Sequence, residues 1–275
     1  MRERMTDALR ACDTQYAEIR IEEAVSTVAA FRGDRLERVE ASKGRGGMVR
    51  ALHAGGWGVA TFNDLEGLAG RVRDACAAAR LVNGAGSYFA ECAPLVAEHR
   101  GALEVDFRDV PLPDKIARAE AYNRVLLEGH PEIITTYTGY SDAFRRVWYA
   151  NTEGAFTCDE RPDVGVYLSA TARRGDNVQQ ATEARFSTES YAVTEGLEGV
   201  AEAAAKRAGA LLDAPPVTGG TYTVIADPRL TGVFAHEAFG HLSEADHLYE
   251  SERLKEVMTL GRRFGPEILN IVDDG

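Results

Sequence analysis

Residues His236, Glu237, Ala238, Phe239, Gly240 and His241 place two imidazoles and a carboxylate in one short stretch. Residues of these types do metal chemistry. A catalytic zinc needs neutral imidazoles aimed at one point, a further protein ligand, and a position left open for water. It also needs a carboxylate beside that water to take its proton. In the common pattern, H-E-x-x-H, the histidines stand at i and i+4, about 40° apart around a helix. Here they stand at i and i+5, which places His236 and His241 about 140° apart on a regular helix. Rings so placed cannot share a cation. A π-bulge absorbs the extra residue, because its hydrogen bonds run from i to i+5 and the turn widens. Gly240 has no side chain to crowd such a turn, and glycine is costly in a straight helix. A bulge over Ala238-Phe239-Gly240 returns both imidazoles to one face and leaves Glu237 beside the water without being a ligand. The bland alternative is a polar seam satisfied on a helix, and the bare spacing leaves both readings open.

The next residues add context. Glu244, Asp246 and His247 follow within the same twelve-residue stretch, 236–247. A metal-bound histidine commonly donates its other ring N–H to a carboxylate. Either Glu244 or Asp246 can take that proton, and either can also be a ligand. His53, His99 and His130 are isolated and read as structural or solvated. Arg145, Arg146, Trp148 and Tyr149 can line a peptide groove, though a half-exposed strand explains them as well.

These residues need elements to hold them. The spacing predicts a short helix over 3–12. Alternating stretches between 16 and 62 predict four or five antiparallel strands, broken at Arg32-Gly33-Asp34, Gly44–Gly47 and Gly55-Gly56. A helix follows with Leu65, Leu68, Val72, Cys76 and Ala79 on one face, capped by Asn63 or Asp64 and ended by Asn83-Gly84. Residues 85–112 read as an irregular linker, followed by a helix from Asp114 to Glu128. Five strand segments fill 132–188, and a helix carries Leu197 to Leu212. Strands are expected at 221–227 and at 268–272, the latter running into an Asp-Asp-Gly turn. Asp227-Pro228 opens the helix that bears the two histidines. Strand runs followed by helices indicate an α+β fold, with antiparallel or mixed sheets, flanking helices and the motif helix near the C-terminus. The expected division is a strand-rich lobe with a helix over 1–90, a linker over 91–112, and a second α+β lobe over 113–275. The closing turn has no partner strand after it, so the second lobe is expected to continue into a further C-terminal domain.

Composition narrows the function. The chain has 275 residues, of which 45% are hydrophobic and 27% charged, the balance of a soluble globular protein. A net charge of −12 repels a nucleic-acid backbone and an anionic membrane, so neither is expected as a partner. No apolar run reaches membrane-spanning length and the charged N-terminus is no signal peptide, so the expected location is cytoplasmic. Cys12, Cys76, Cys92 and Cys158 are scattered without a C-x-x-C pair and read as ordinary thiols. The two Arg-Gly-Asp triplets, at 32–34 and 174–176, read as hairpin turns rather than adhesion motifs. Lys43 to Arg50 is glycine-rich and cationic but does not follow the phosphate-loop pattern.

The string from His236 to Asp246 resembles the TldD/PmbA family of metallopeptidases, the "modulator of DNA gyrase" proteins. "TYTVIADP" before it, "IVDDG" after it and the N-terminal "GRGGMVRALHAGGWGVATF" are similar to the same family. Members that keep the H-E-A-x-G-H-x-x-E-x-D string resemble the TldD branch, whereas the PmbA/TldE branch has lost it. The resemblance implies His236 and His241 as zinc ligands and Glu237 as catalytic base. It implies cleavage of short or unfolded peptides in a cavity between two subunits, as a homodimer or a heterodimer with a metal-free paralogue. The family's third zinc ligand is a Cys in a C-G-K-like segment, and no such string occurs here. The runner-up reading is a non-catalytic subunit that binds peptide or serves assembly. A gyrase-binding role has no basis in these residues.

Overall fold

Hydrophobic alternation over residues 16–62 and 133–187 builds six strands of one mixed seven-stranded sheet, seen in a computed structural model that describes residues 1–82, 84, 89 and 91–272. Its strands are β1 (Tyr16–Arg32), β2 (Arg35–His53), β3 (Gly56–Phe62), β4 (Val96–His99), β5 (Ile133–Asn151), β6 (Phe156–Arg174) and β7 (Asn177–Ser187). The order is β3-β2-β1-β5-β6-β4, with β7 also on β6. All pairings are antiparallel except β4 on β6. The two strand blocks meet where β1 pairs with β5 from Glu18↔Asn151 to Arg32↔Tyr137, so they share a single sheet.

The helices are α1 (Arg2–Leu9), α2 (Leu68–Arg80), α3 (Leu112–Glu128) and α4 (Glu198–Leu211). Helices α1 and α2 cover Ala17, Ile19, Ile21, Val49 and Trp148, while α3 and α4 cover Ala29, Phe31, Tyr140, Phe144 and Val164. Along β1 the covered residues are all odd-numbered and along β5 all even. Because strand side chains alternate, the two clusters lie on the same face of the sheet. The other face carries a polar group: Glu18 accepts from the hydroxyls of Tyr16 (2.6 Å) and Tyr149 (3.0 Å) and pairs with Arg50.

Several sequence expectations are corrected. The N-terminal block has three strands, not four or five, because β2 runs unbroken through Gly44–Gly47. Glycine is required at 47, where an added Cβ would stand 2.4 Å from the Phe62 ring. The second block has three strands, not five, because β5 joins two expected segments and β6 joins two more across Arg161-Pro162. Pro162 is tolerated there because β4 pairs only with 156–159 and β7 only from 164, which leaves that edge of β6 open beside it. The span 85–112 is not wholly irregular. It holds β4 and a 3-10 turn, Phe107–Asp109, whose Phe107 is fully buried. Neither Asn63 nor Asp64 caps α2: Gly67 occupies the cap at φ 66°, and Asp64 accepts from the Glu66 N–H instead. Asn83 of the expected helix stop lies outside the described residues. Both Arg-Gly-Asp triplets are hairpin turns, with Gly33 at φ 56° and Gly175 at φ 61°, a left-handed region open to glycine.

The chain divides into two compact units, 1–215 and 216–275. The second holds α5 (Pro228–Ala235), a π turn (His236–Gly240), a 3-10 turn (His241–Ser243), α6 (Ala245–Glu250) and α7 (Glu252–Val257). The strands expected at 221–227 and 268–272 do not form. A strand needs a ladder partner for its N–H and C=O groups, and none lies within the described residues 216–272. The Asp-Asp-Gly turn lies outside the described residues. None of the described residues of this unit is buried.

Candidate metal centre

The site is built from the start of α5. Asp227 caps the helix by accepting from the Leu230 N–H at 2.8 Å, and Pro228 fills the first helical position, where no N–H is needed. Helical winding then widens. The His241 N–H bonds to the His236 carbonyl, five residues back, and His236–Gly240 is a π turn. This is the distortion that the i, i+5 spacing demands for a shared face. Gly240 fits it for a second reason: a Cβ there would stand 3.3 Å from His236 Nδ1.

The wider turn stacks the two rings edge to face, with centroids 4.4 Å apart. Glu237 Oε2 lies 3.6 Å from His241 Nε2. One donor atom from each of His236, Glu237 and His241 falls within 4.8 Å of the others. Tetrahedral coordination at zinc–nitrogen distances near 2.0–2.1 Å separates two imidazole nitrogens by roughly 3.3 Å. Side-chain rotations can therefore bring the two imidazoles onto one cation with Glu237 beside it, and the group fits a divalent metal of the zinc type.

Around this trio, Glu244 Oε1 lies 2.7 Å from His241 Nδ1. A carboxylate accepts, so Nδ1 is the donor in this bond, which leaves Nε2 on the side of Glu237. His247 Nδ1 donates to the His241 carbonyl at 2.9 Å. That bond, with the nearby charges of Asp246 and Glu244, raises the pKa of His247 above the ordinary imidazole value. The Asp246 carboxylate accepts from the His247 backbone N–H at 2.9 Å. Sequence left Glu244 and Asp246 as equal candidates for orienting a histidine, and it is Glu244 that meets His241. The His247 bond to a carbonyl six residues back had no signal in the sequence. Glu244, Asp246 and His247 also bring one donor atom each within 4.8 Å.

Other sequence candidates belong to the first unit. Arg146 and Trp148 line a 550 Å³ cavity on the helix-bearing face of the sheet, where Arg146 pairs with Glu160. Tyr149 is on the opposite face with Glu18, and strand alternation puts Arg145 there too. The four therefore form no single groove. His130 Nδ1 accepts from the Glu132 N–H, and its ring packs where a Cβ on Gly209 would stand.

With this geometry in place, the similarity to known proteins is informative. Residues 17–79 match domain 1, 105–212 the central domain and 219–275 the C-terminal domain of the PmbA/TldA metallopeptidases. The chain belongs to the PmbA/TldD metallopeptidase family. A metalloprotease of Synechocystis is 41% identical over 259 residues, which cover 94% of this chain and 56% of that protein. This PmbA/TldD chain thus spans about half the length of the curated relatives that it matches. Among solved structures, a candidate modulator of DNA gyrase from Bacteroides thetaiotaomicron has a TM-score of 0.69 at 19% identity, covering 88% of this chain and 56% of that one. TldE from Thermococcus kodakarensis has a TM-score of 0.60 at 15% identity, covering 76% and 47%. These two share the PmbA/TldD fold.

One mutation tests the role of the widened turn. Gly240→Val is expected to displace the His236 ring and weaken zinc binding by about 10–100-fold, the range seen when groups that orient metal ligands are lost. Zinc titration by calorimetry or a chelator competition reads this directly. Unchanged affinity would mean that the ring has room to move.

Proposed function

We propose that the chain carries the metal-binding part of a zinc-dependent peptidase that cleaves short or unfolded peptides. The observation that carries this reading is the π turn, which sets His236 and His241 ring to ring with Glu237 beside them. In the proposal His236 and His241 hold the zinc, and Glu237 is the catalytic base. When bound, zinc polarises the scissile carbonyl and lowers the pKa of water at its open position. Glu237 accepts the proton of the attacking water and returns it to the leaving amine. Glu244 holds the His241 ring and its tautomer, and Asp246 supports this segment through the His247 N–H. The partner is a second copy or a metal-free paralogue, a reading suggested by the likeness to TldE. A nucleic-acid partner is not part of the proposal, in keeping with the charge of −12. Among the described residues no helix is long and apolar enough to cross a membrane, and the proposed location is cytoplasmic.

The third zinc ligand is not assigned. No cysteine occurs in residues 216–275. The fold shared with TldE favours, as the second reading, a peptide-binding or assembly subunit without turnover. Metal content separates the two. The peptidase reading expects one zinc per chain in the intact protein, lost in His236→Ala and in His241→Ala. Glu244→Gln should keep the zinc but weaken it by about 10–100-fold, because the amide no longer fixes the His241 tautomer. Elemental analysis after dialysis against a chelator measures both. Absence of zinc from the intact wild-type protein would favour the second reading.

A further inference from the structure

Two cysteines far apart in sequence meet in the N-terminal lobe. Cys12 follows α1 and is half-buried, and Cys76 sits in α2 fully buried. Their sulfurs are 3.9 Å apart. The Thr14 hydroxyl lies 3.4 Å from each. Nearby, the Arg80 guanidinium pairs with Asp13 at 2.7 Å and donates to the Asp13 carbonyl at 3.0 Å. A loop between α1 and β1, a helix end and two thiols therefore converge on one spot, where the Thr14 hydroxyl is within reach of either sulfur. A disulfide bond is about 2.05 Å long, so closure needs the two sulfurs to approach by about 1.9 Å.

We propose that Cys12 and Cys76 are an oxidative modification site, a dithiol that forms a reversible disulfide clasping α1 to α2. The oxidant is a small disulfide of the glutathione class. The Cys12 thiolate, the more exposed, attacks one sulfur of the oxidant, forming a mixed disulfide and releasing one glutathione thiolate. The Cys76 thiolate then attacks Cys12 Sγ, closing the protein disulfide and releasing the second. Two protein thiols are oxidised, one glutathione disulfide is reduced, and the two protons end on two glutathione molecules. Burial pushes the Cys76 thiol up while donation from Thr14 opposes it, so the second step is the slower one. The closed ring spans residues 12 to 76, a long loop whose closure removes much unfolded-chain entropy.

The test treats the native full chain with glutathione disulfide, blocks the remaining thiols by alkylation, and maps tryptic peptides. The expected product links residues 11–20 to residues 74–80, raises Tm by about 5–10 °C, and reverts with dithiothreitol. Cys12→Ser should abolish both the link and the gain, and Cys92→Ser should abolish neither. Cys12→Ser also keeps the test valid if replacement of the buried Cys76 prevents folding. A glutathione adduct that persists on Cys12 while Cys76 remains open to alkylation would overturn the proposal. So would a Tm gain that survives in Cys12→Ser.

Discussion

Glu237→Gln in the intact protein is expected to lower peptide hydrolysis by about 10²–10⁴-fold while zinc content stays at the wild-type level. The amide matches the carboxylate in size but cannot take a proton from water. The Glu237 side chain is 64% exposed and its ionic neighbour among the described residues is His241 at 3.6 Å, so no buried network among the described residues depends on it. Its loss should therefore touch chemistry and leave folding and the two imidazoles alone. The paired measurement, turnover beside metal content, separates three cases. Lost turnover with retained zinc supports a base. Lost zinc makes Glu237 a ligand, which its place among the three converging donors also permits. Normal turnover removes it from the mechanism.

The widened turn was legible because helix geometry leaves few choices. Two histidines five apart cannot share a face unless the turn opens, and Gly240 marks where it can. The hairpins at Gly33 and Gly175 were legible for the same kind of reason, since a tight reversal favours a residue free to enter positive φ. What failed depends on partners that sequence does not display. Gly44–Gly47 read as a break, yet β2 continues because β1 supplies its ladder throughout, β3 joins from Gly47, and Phe62 takes the space above Gly47. Pro162 read as a stop, yet the edge of β6 is open beside it. Residues 221–227 have strand composition but no strand partner among the described residues, so composition alone misled. Within the site, the His236–His241 geometry follows from spacing, whereas the choice of Glu244 over Asp246 depends on the 3-10 turn at His241–Ser243, which the pattern did not announce. Cys12 and Cys76 meet because α1 and α2 share one face of the sheet, a fact of topology.

The largest stability effect is expected at a buried ion pair of the first unit. Lys115 Nζ on α3 lies 2.6 Å from Asp142 Oδ2 on β5, with side chains only 5% and 4% exposed. The same oxygen accepts from the Tyr140 hydroxyl, and the ammonium lies over the rings of Tyr140 and Phe107 at 5.6 and 5.9 Å. Burial and the bond to Asp142 together push the Tyr140 phenol well above its usual range, so it stays a donor at any physiological pH. Asp142→Ala removes the acceptor of both donors and strands an ammonium in an apolar layer. That should cost about 3–5 kcal/mol. A loss of that size corresponds to a fall in Tm of about 10 °C or more. The double variant Lys115→Met with Asp142→Leu removes both charges and should cost less than Asp142→Ala alone, because no uncompensated charge remains. Urea denaturation of wild type, Lys115→Met, Asp142→Leu and the double variant closes the cycle, with Asp142→Ala measured beside it. A single-variant cost below about 1 kcal/mol would place the pair with solvated surface bridges, contrary to its burial between α3 and the sheet.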